Sequence, residues 1–153
     1  MYWDFRQPLL ANFPYIATML SKKTQYAFKA LTYLAEHREE GPILIAMIAR
    51  KKKIPLKFLE NILLLLKKEG ILESKKGKGG GYFFKLSPQQ VPLSRIMRLL
   101  EGPIALLPCV SLNFYQKCKD CDEKTCGLNK VMRQVRDNTL SVLDKKTVQD
   151  LLQ

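Results

Sequence analysis

Apolar side chains recur with helical spacing in several stretches of the chain, and one of these organises the rest. From Leu56 to Glu69 they fall at Phe58, Leu59, Ile62, Leu63, Leu65 and Leu66, leaving Lys57, Glu60, Asn61, Lys67 and Lys68 for the other face. Ile54-Pro55 sets the start, because proline pushes the residue before it out of the helical region. Gly70 stands where a helix end takes a left-handed residue. The period then changes. Ile71-Leu72 and Tyr82-Phe83-Phe84 have strand character, and Gly77, Gly79, Gly80 and Gly81 between them permit a tight reversal. The predicted unit is a helix followed by a two-stranded hairpin.

Upstream, Lys22 to Glu36 reads as a helix with Tyr26, Ala27, Ala30, Leu31, Leu34 and Ala35 on one face and Ser21 as its N-cap. His37, the only histidine, falls at its end and is expected to be a solvated terminal residue, not a ligand. Glu39-Glu40-Gly41-Pro42 is a turn, and a short helix over about Ile45 to Lys51 carries Ile45, Ile48 and Ala49. Downstream, Ser87-Pro88 is a turn and Leu93 to Leu100 a helix with Ile96, Met97, Leu99 and Leu100 inward; Glu101-Gly102-Pro103 ends it. The following stretch has no convincing period. From Leu128 the helical period returns at Leu128, Val131, Met132, Val135, Thr139, Val142 and Leu143, and Asp144 to Gln153 reads as a short helical tail with Val148, Leu151 and Leu152 inward.

The expected fold is mainly α with a small β-wing: a winged helix-turn-helix plus a long C-terminal dimerisation helix. Its parts are an N-terminal extension over 1–18, a DNA-binding domain over 19–100, a cysteine-rich sensor loop over 101–127, and the dimerisation helix and tail over 128–153. Residues 1–18 show neither period; they are an arm on the body or the product of an upstream start codon, with Met19 beginning the domain. The stripe Leu128, Val131, Met132, Val135 and Val142 is expected to pair with a second copy, since a helix-turn-helix gains affinity by binding two half-sites as a dimer.

Charge sharpens the picture. The chain of 153 residues carries +12, and residues 44–86 hold eleven basic side chains against three acidic ones. Lys75, Lys76 and Lys78 crowd the hairpin tip, and Arg50-Lys51-Lys52-Lys53 precedes the central helix. Such concentration predicts a polyanionic partner. A helix followed by a basic hairpin is how a winged helix-turn-helix meets double-stranded DNA, the helix in the major groove and the wing along phosphate or in the minor groove. No apolar span suits a membrane and no lipidation motif is present. Asp4 and the prolines at 8 and 14 argue against a secretory signal, so a cytoplasmic protein is expected. An enzyme is disfavoured: there is no phosphate-binding loop between strand and helix and no Ser-His-Asp set.

Cys109, Cys118, Cys121 and Cys126 are the only cysteines, spaced C-x8-C-x2-C-x4-C. Disulfides suit exported proteins. Zinc accepts four thiolates, although its ribbons usually present two C-x2-C pairs. An iron–sulfur cluster also takes four ligands and tolerates uneven spacing. Lys117, Lys119, Lys124 and Lys130 favour thiolates nearby. Spacing alone leaves zinc and iron–sulfur both open. The function expected is a transcription regulator whose operator affinity follows the state of this loop. The alternatives are a zinc-stabilised or thiol-based regulator, or a nucleic-acid or protein interaction module.

The order LSKKTQYAFKALTYLA, FLENILLLLKKEGIL, GKGGGY and a cysteine loop leading into a long helix resembles the bacterial Rrf-type winged-helix regulators, the family of IscR, NsrR and CymR. The resemblance runs from about Met19 to Leu152. It implies groove-reading positions at Lys57, Phe58, Glu60 and Asn61, with Glu60 able to accept from cytosine N4. It places the wing at Lys75, Lys76, Lys78, Gly79, Gly80, Gly81 and Tyr82, with Lys76 where the family usually has arginine. It implies an iron–sulfur cluster (2Fe-2S or 4Fe-4S) with Cys109 first and Cys126 last among the ligands, and Cys118 or Cys121 between. Two positions depart from the pattern: the family's histidine ligand is Asn129 here, and the acidic ligand that some members supply from the partner's first helix corresponds to Gln25. A fourth cysteine then completes the site, or the cluster differs from those of known members.

Overall fold

The structure, a computed structural model, describes residues 20–152. The expected extension over 1–18 lies outside the described residues. The helices are α1 (Lys22–Glu36), α2 (Ile45–Lys52), α3 (Leu56–Lys68), α4 (Leu93–Glu101) and α5 (Gly127–Leu143). Strands β1 (Leu72–Lys75) and β2 (Gly81–Phe84) form an antiparallel pair. The described chain is therefore mainly helical with a two-stranded wing, as its pattern predicts.

The core is built where the apolar faces converge. Ala27, Ala30, Leu31 and Leu34 of α1, Ile48 of α2, and Leu59, Ile62, Leu63 and Leu66 of α3 are buried together with Ile71, Leu72, Val91 and Ile96. Ser21 caps α1, its side-chain oxygen accepting from the Thr24 N–H at 3.2 Å. At the far end of α1 the His37 ring lies 4.2 Å from the Tyr33 ring and its Nδ1 sits 2.9 Å from the Tyr33 carbonyl. Gly70, at φ +71°, turns the chain out of α3 so that the Ile71 N–H can reach the Leu66 carbonyl.

Three local expectations are revised. The first strand lies nearer the wing tip than Ile71-Leu72: Leu72 pairs with Phe84, Ser74 with Tyr82 and Lys75 with Gly81, while the buried Ile71 precedes the strand and its carbonyl accepts from the Lys85 N–H at 3.0 Å. Pairing partners decide this register, and the polar Ser74-Lys75 gives no apolar signal. On α4 Ser94 and Ile96 are buried and Leu99 and Leu100 pack half-covered against the core as expected, whereas Met97 is half-covered away from it. The expected short helical tail is a 3-10 turn over Val148–Leu151 and not an α-helix, and it folds back onto the winged body. There the Val148 N–H donates to the Val91 carbonyl and the Leu93 N–H to the Lys146 carbonyl, at 3.0 and 2.8 Å. Val148 is fully buried in the common core, while Leu151 and Leu152 are half-buried.

Candidate nucleic-acid interface and cysteine site

Helix α3 turns Leu59, Ile62, Leu63 and Leu66 inward, which leaves the other side to solvent. Lys57 and Asn61 are exposed there and Glu60 is half-exposed, with Lys57 Nζ 3.1 Å from Glu60 Oε2. Phe58, expected on the apolar stripe and also as a groove reader, is exposed and sets its ring edge-on to Tyr26 of α1, 5.7 Å between centroids. Leu56 and Leu64 join this outer side, and Leu64 carries no charge that could have marked it in the sequence. Before α3, Lys53 makes the turn with a left-handed backbone at φ +53°. Arg50, Lys51 and Lys53 are exposed, whereas Lys52 turns back to Glu36, 3.4 Å away, and over the Tyr33 ring.

The wing is tied to this helix. Lys67 Nζ donates to Ser74 Oγ at 2.7 Å, and Ile43 and Tyr82 exchange backbone hydrogen bonds of 2.9 and 2.8 Å, adding a bridge that the Gly41-Pro42 turn did not announce. Burial first, then the charge of Glu60, raises the Tyr82 phenol above its ordinary value. Lys75, Lys76, Lys78 and Gly79 are exposed at the tip. Gly80 and Gly81 are not presented in the same way: a Cβ on Gly80 would lie 2.4 Å from the Lys75 carbonyl oxygen, and one on Gly81 2.3 Å from the Ile43 carbonyl. These two glycines shape the wing and let it approach Ile43.

Cys109 and Cys126 meet at the start of α5, with Cys118 and Cys121 on the loop between them. Cys126 is the N-cap, its Sγ accepting from the Asn129 N–H at 3.4 Å, which holds the thiol below its ordinary value together with a hydrogen bond to Cys121. Hydrogen bonding with Cys118 and Cys126 pushes the Cys121 thiol up to about 12. Cys109 is buried in the 3-10 turn Pro108–Val110, and its Sγ accepts from Asn129 Nδ2 at 3.4 Å. Glu123, which the sequence did not single out, accepts from the Cys118 N–H at 2.9 Å and from the Tyr115 hydroxyl at 3.2 Å. Among the described residues no three His, Cys, Asp or Glu side chains converge in a metal-holding geometry. Gln25 bonds locally, its Nε2 donating to the Leu20 carbonyl at 2.9 Å.

Helix α5 connects this site to the body. Arg136 Nη1 donates to the Val110 carbonyl beside Cys109, and Arg98 of α4 lies 3.5 Å from Asp144 just past the end of α5. The other face of α5 is uncovered in the single chain: Leu128, Val131, Val135 and Val142 are exposed, and Met132 sits half-buried at the border.

The profile of the Rrf2 family, described as iron-dependent transcriptional regulators, matches residues 20–153. The chain belongs to this family. An rrf2-like HTH-type transcriptional regulator of Rhodobacter capsulatus is 42 % identical over 138 residues, covering 88 % of this chain and 92 % of that protein. CymR of Bacillus subtilis, the global cysteine regulator, superposes with a TM-score of 0.72 at 27 % identity, covering 86 % of this chain and 94 % of that one. IscR of T. potens does so at 0.69 and 25 % identity, covering 88 % and 86 %. The chain is thus an Rrf2-family winged-helix transcription regulator and not an enzyme. Among the described residues no helix is long and apolar enough to cross a membrane.

Proposed function

We propose that this Rrf2-family regulator acts in the cytoplasm as a homodimer on a pseudo-palindromic operator, and that its four-cysteine loop controls how tightly it binds. In this reading α3 enters the major groove through Lys57, Phe58, Glu60 and Asn61, and the wing lays Lys75, Lys76 and Lys78 on phosphate. The uncovered face of α5, from Leu128 through Val131 and Val135 to Val142, packs on its copy in the partner and sets the spacing of the two recognition helices.

The observation that carries the control is the attachment of the cysteine span to α5 at both ends. Asn129 holds Cys109 and Cys126, and Arg136 holds the Val110 carbonyl. The chemistry of the donor set also suits a thiophilic group: Cys109 and Cys126 meet Asn129 at the start of α5, and Cys118 and Cys121 lie on the loop between them. Bound by Cys109, Cys118, Cys121 and Cys126, an iron–sulfur cluster would supply a cross-link whose integrity depends on redox state or iron supply. Ordering of residues 109–126 then biases how α5 and the winged body meet, through Arg98 and Asp144.

A second reading, direct use of the thiols by oxidation or zinc, is favoured by the accessibility of the free thiols of Cys118, Cys121 and Cys126. Protein purified without oxygen separates the two, since visible absorption bands with matching iron and acid-labile sulfide support a cluster and a colourless protein supports zinc or free thiols. Each cysteine replaced by serine should lose that content and alter operator binding. Full loss of the cluster with unchanged operator binding would remove the cysteines from control.

A further inference from the structure

Asn129 is the third residue of α5 and is only 2 % exposed, although Leu128 and Lys130 on either side of it are exposed. Its Oδ1 accepts from Arg133 Nε at 2.7 Å. A guanidinium nitrogen can only donate, so this contact decides which end of the amide is oxygen and aims Nδ2–H at Cys109 Sγ, 3.4 Å away. The backbone N–H of the same residue donates to Cys126 Sγ at 3.4 Å. One buried residue therefore grips the first and the last thiol of the span, and it does so only as a donor. The amide nitrogen has no lone pair free for a metal, and the amide oxygen is engaged by Arg133.

We propose that Asn129 is a positioning residue of the four-thiol site and not a ligand: its two N–H groups hold the Cys109 and Cys126 sulfurs in place and stabilise negative charge on them, with Arg133 fixing the amide. This rests on the metal-site reading given above. Asn129 and Arg133 are one helical turn apart, so both interactions survive as long as α5 begins at Gly127. Donors to ligand sulfur favour the more reduced, more negative state of a metal–thiolate site, because hydrogen bonds to sulfur are among the determinants of its potential.

The test compares wild type, Asn129→Leu and Arg133→Met, each as the full chain loaded with ferrous iron and sulfide without oxygen. Asn129→Leu keeps the volume and removes the side-chain donor. Its midpoint potential should fall, by a change of roughly tenfold in the oxidised-to-reduced ratio, which is about 59 mV for a one-electron couple. Arg133→Met should move it the same way by less. A wild-type potential in Asn129→Leu overturns the proposal; if that variant fails to fold or to load, a wild-type potential in Arg133→Met overturns it instead. Should wild type itself take up no iron, the metal-site reading falls, and the metal-free chain then decides the positioning role. There the Asn129 Nδ2 protons, followed by NMR, should exchange about fivefold faster in Cys109→Ala. Unchanged exchange would mean that Asn129 does not grip Cys109.

Discussion

Arg95 of α4 donates from Nη2 to the carbonyl of Glu69 at 2.8 Å, so a side chain from the fourth helix caps the end of the candidate recognition helix. Lys67 and Lys68 already complement the dipole there, and Arg95 adds a tertiary interaction that ties α4 to this end of α3. Arg95→Met should destabilise the chain by ~1 kcal/mol in chemical denaturation, with faster hydrogen exchange confined to the last turn of α3 and to Gly70. Unchanged exchange at that turn would mean that apolar packing alone holds the end of α3.

In the proposed reading the wing lysines act through charge. Replacing Lys76 and Lys78 by Ala should weaken DNA binding across sequences, and each phosphate no longer neutralised should flatten the slope of log affinity against log salt by roughly 0.9. A double variant with wild-type affinity and slope would take the wing off the DNA. Relaxed preference at one base position after Lys76→Ala alone would place that lysine on a base edge.

The wing glycines should behave differently. Gly81→Ala drives a methyl group into the Ile43 carbonyl and Gly80→Ala into that of Lys75, overpacking that costs about 1–3 kcal/mol. Both variants should lose DNA binding together with the Ile43–Tyr82 bridge, visible as faster exchange of the Tyr82 amide. Weakened binding with that amide still protected would mean that these glycines touch DNA directly.

The proposed assembly rests on α5. Glu at Val135 and Val142 puts charge on the face proposed to meet the partner, where an unpaired buried charge costs several kcal/mol, about 3–5 when a partner is missing. Sedimentation should give monomers whose far-ultraviolet spectrum matches wild type, because both side chains are exposed in the single chain. A double variant that stays dimeric would move the interface elsewhere.

Glu101 links the two ends of the winged body. Burial alone would raise its carboxyl, but hydrogen bonds from Thr24 and Ser21 prevail and hold it below the ordinary value; the Ser21 N–H lies 2.7 Å from Oε1. A carboxylate depressed in the folded state adds stability that is present above its unfolded value, roughly 4.3, and is lost as pH falls through the folded one. Glu101→Gln should therefore be less stable than wild type at pH 7, by under ~1 kcal/mol because solvent screens the group. The two melting curves should converge in acid. A gap that persists at pH 2 would point to shape and not charge.

The sequence by itself determined the elements and their order. The helical period in 22–36 and 56–69, the capping Ser21, Pro55 and Gly70 act within a turn or two of the chain, so their signals are local. It also determined where the positive charge and the thiols lie along the chain, since both are concentrated in short stretches, 44–86 and 109–126. Tertiary packing decided what local signals cannot carry. The register of β1 came from its pairing with β2, and the tightness at Gly81 from Ile43, a residue far away in the chain. The stripe on α5 divided into an outer row, Leu128, Val131, Val135 and Val142, and an inner side with Asn129 and Leu140, because helical period marks apolar positions without saying what covers them. The role of Asn129 was the least legible: an amide reads as a missing ligand until Arg133 and Cys109 are found on either side of it, and only folding brings Cys109 back across the loop to the start of α5.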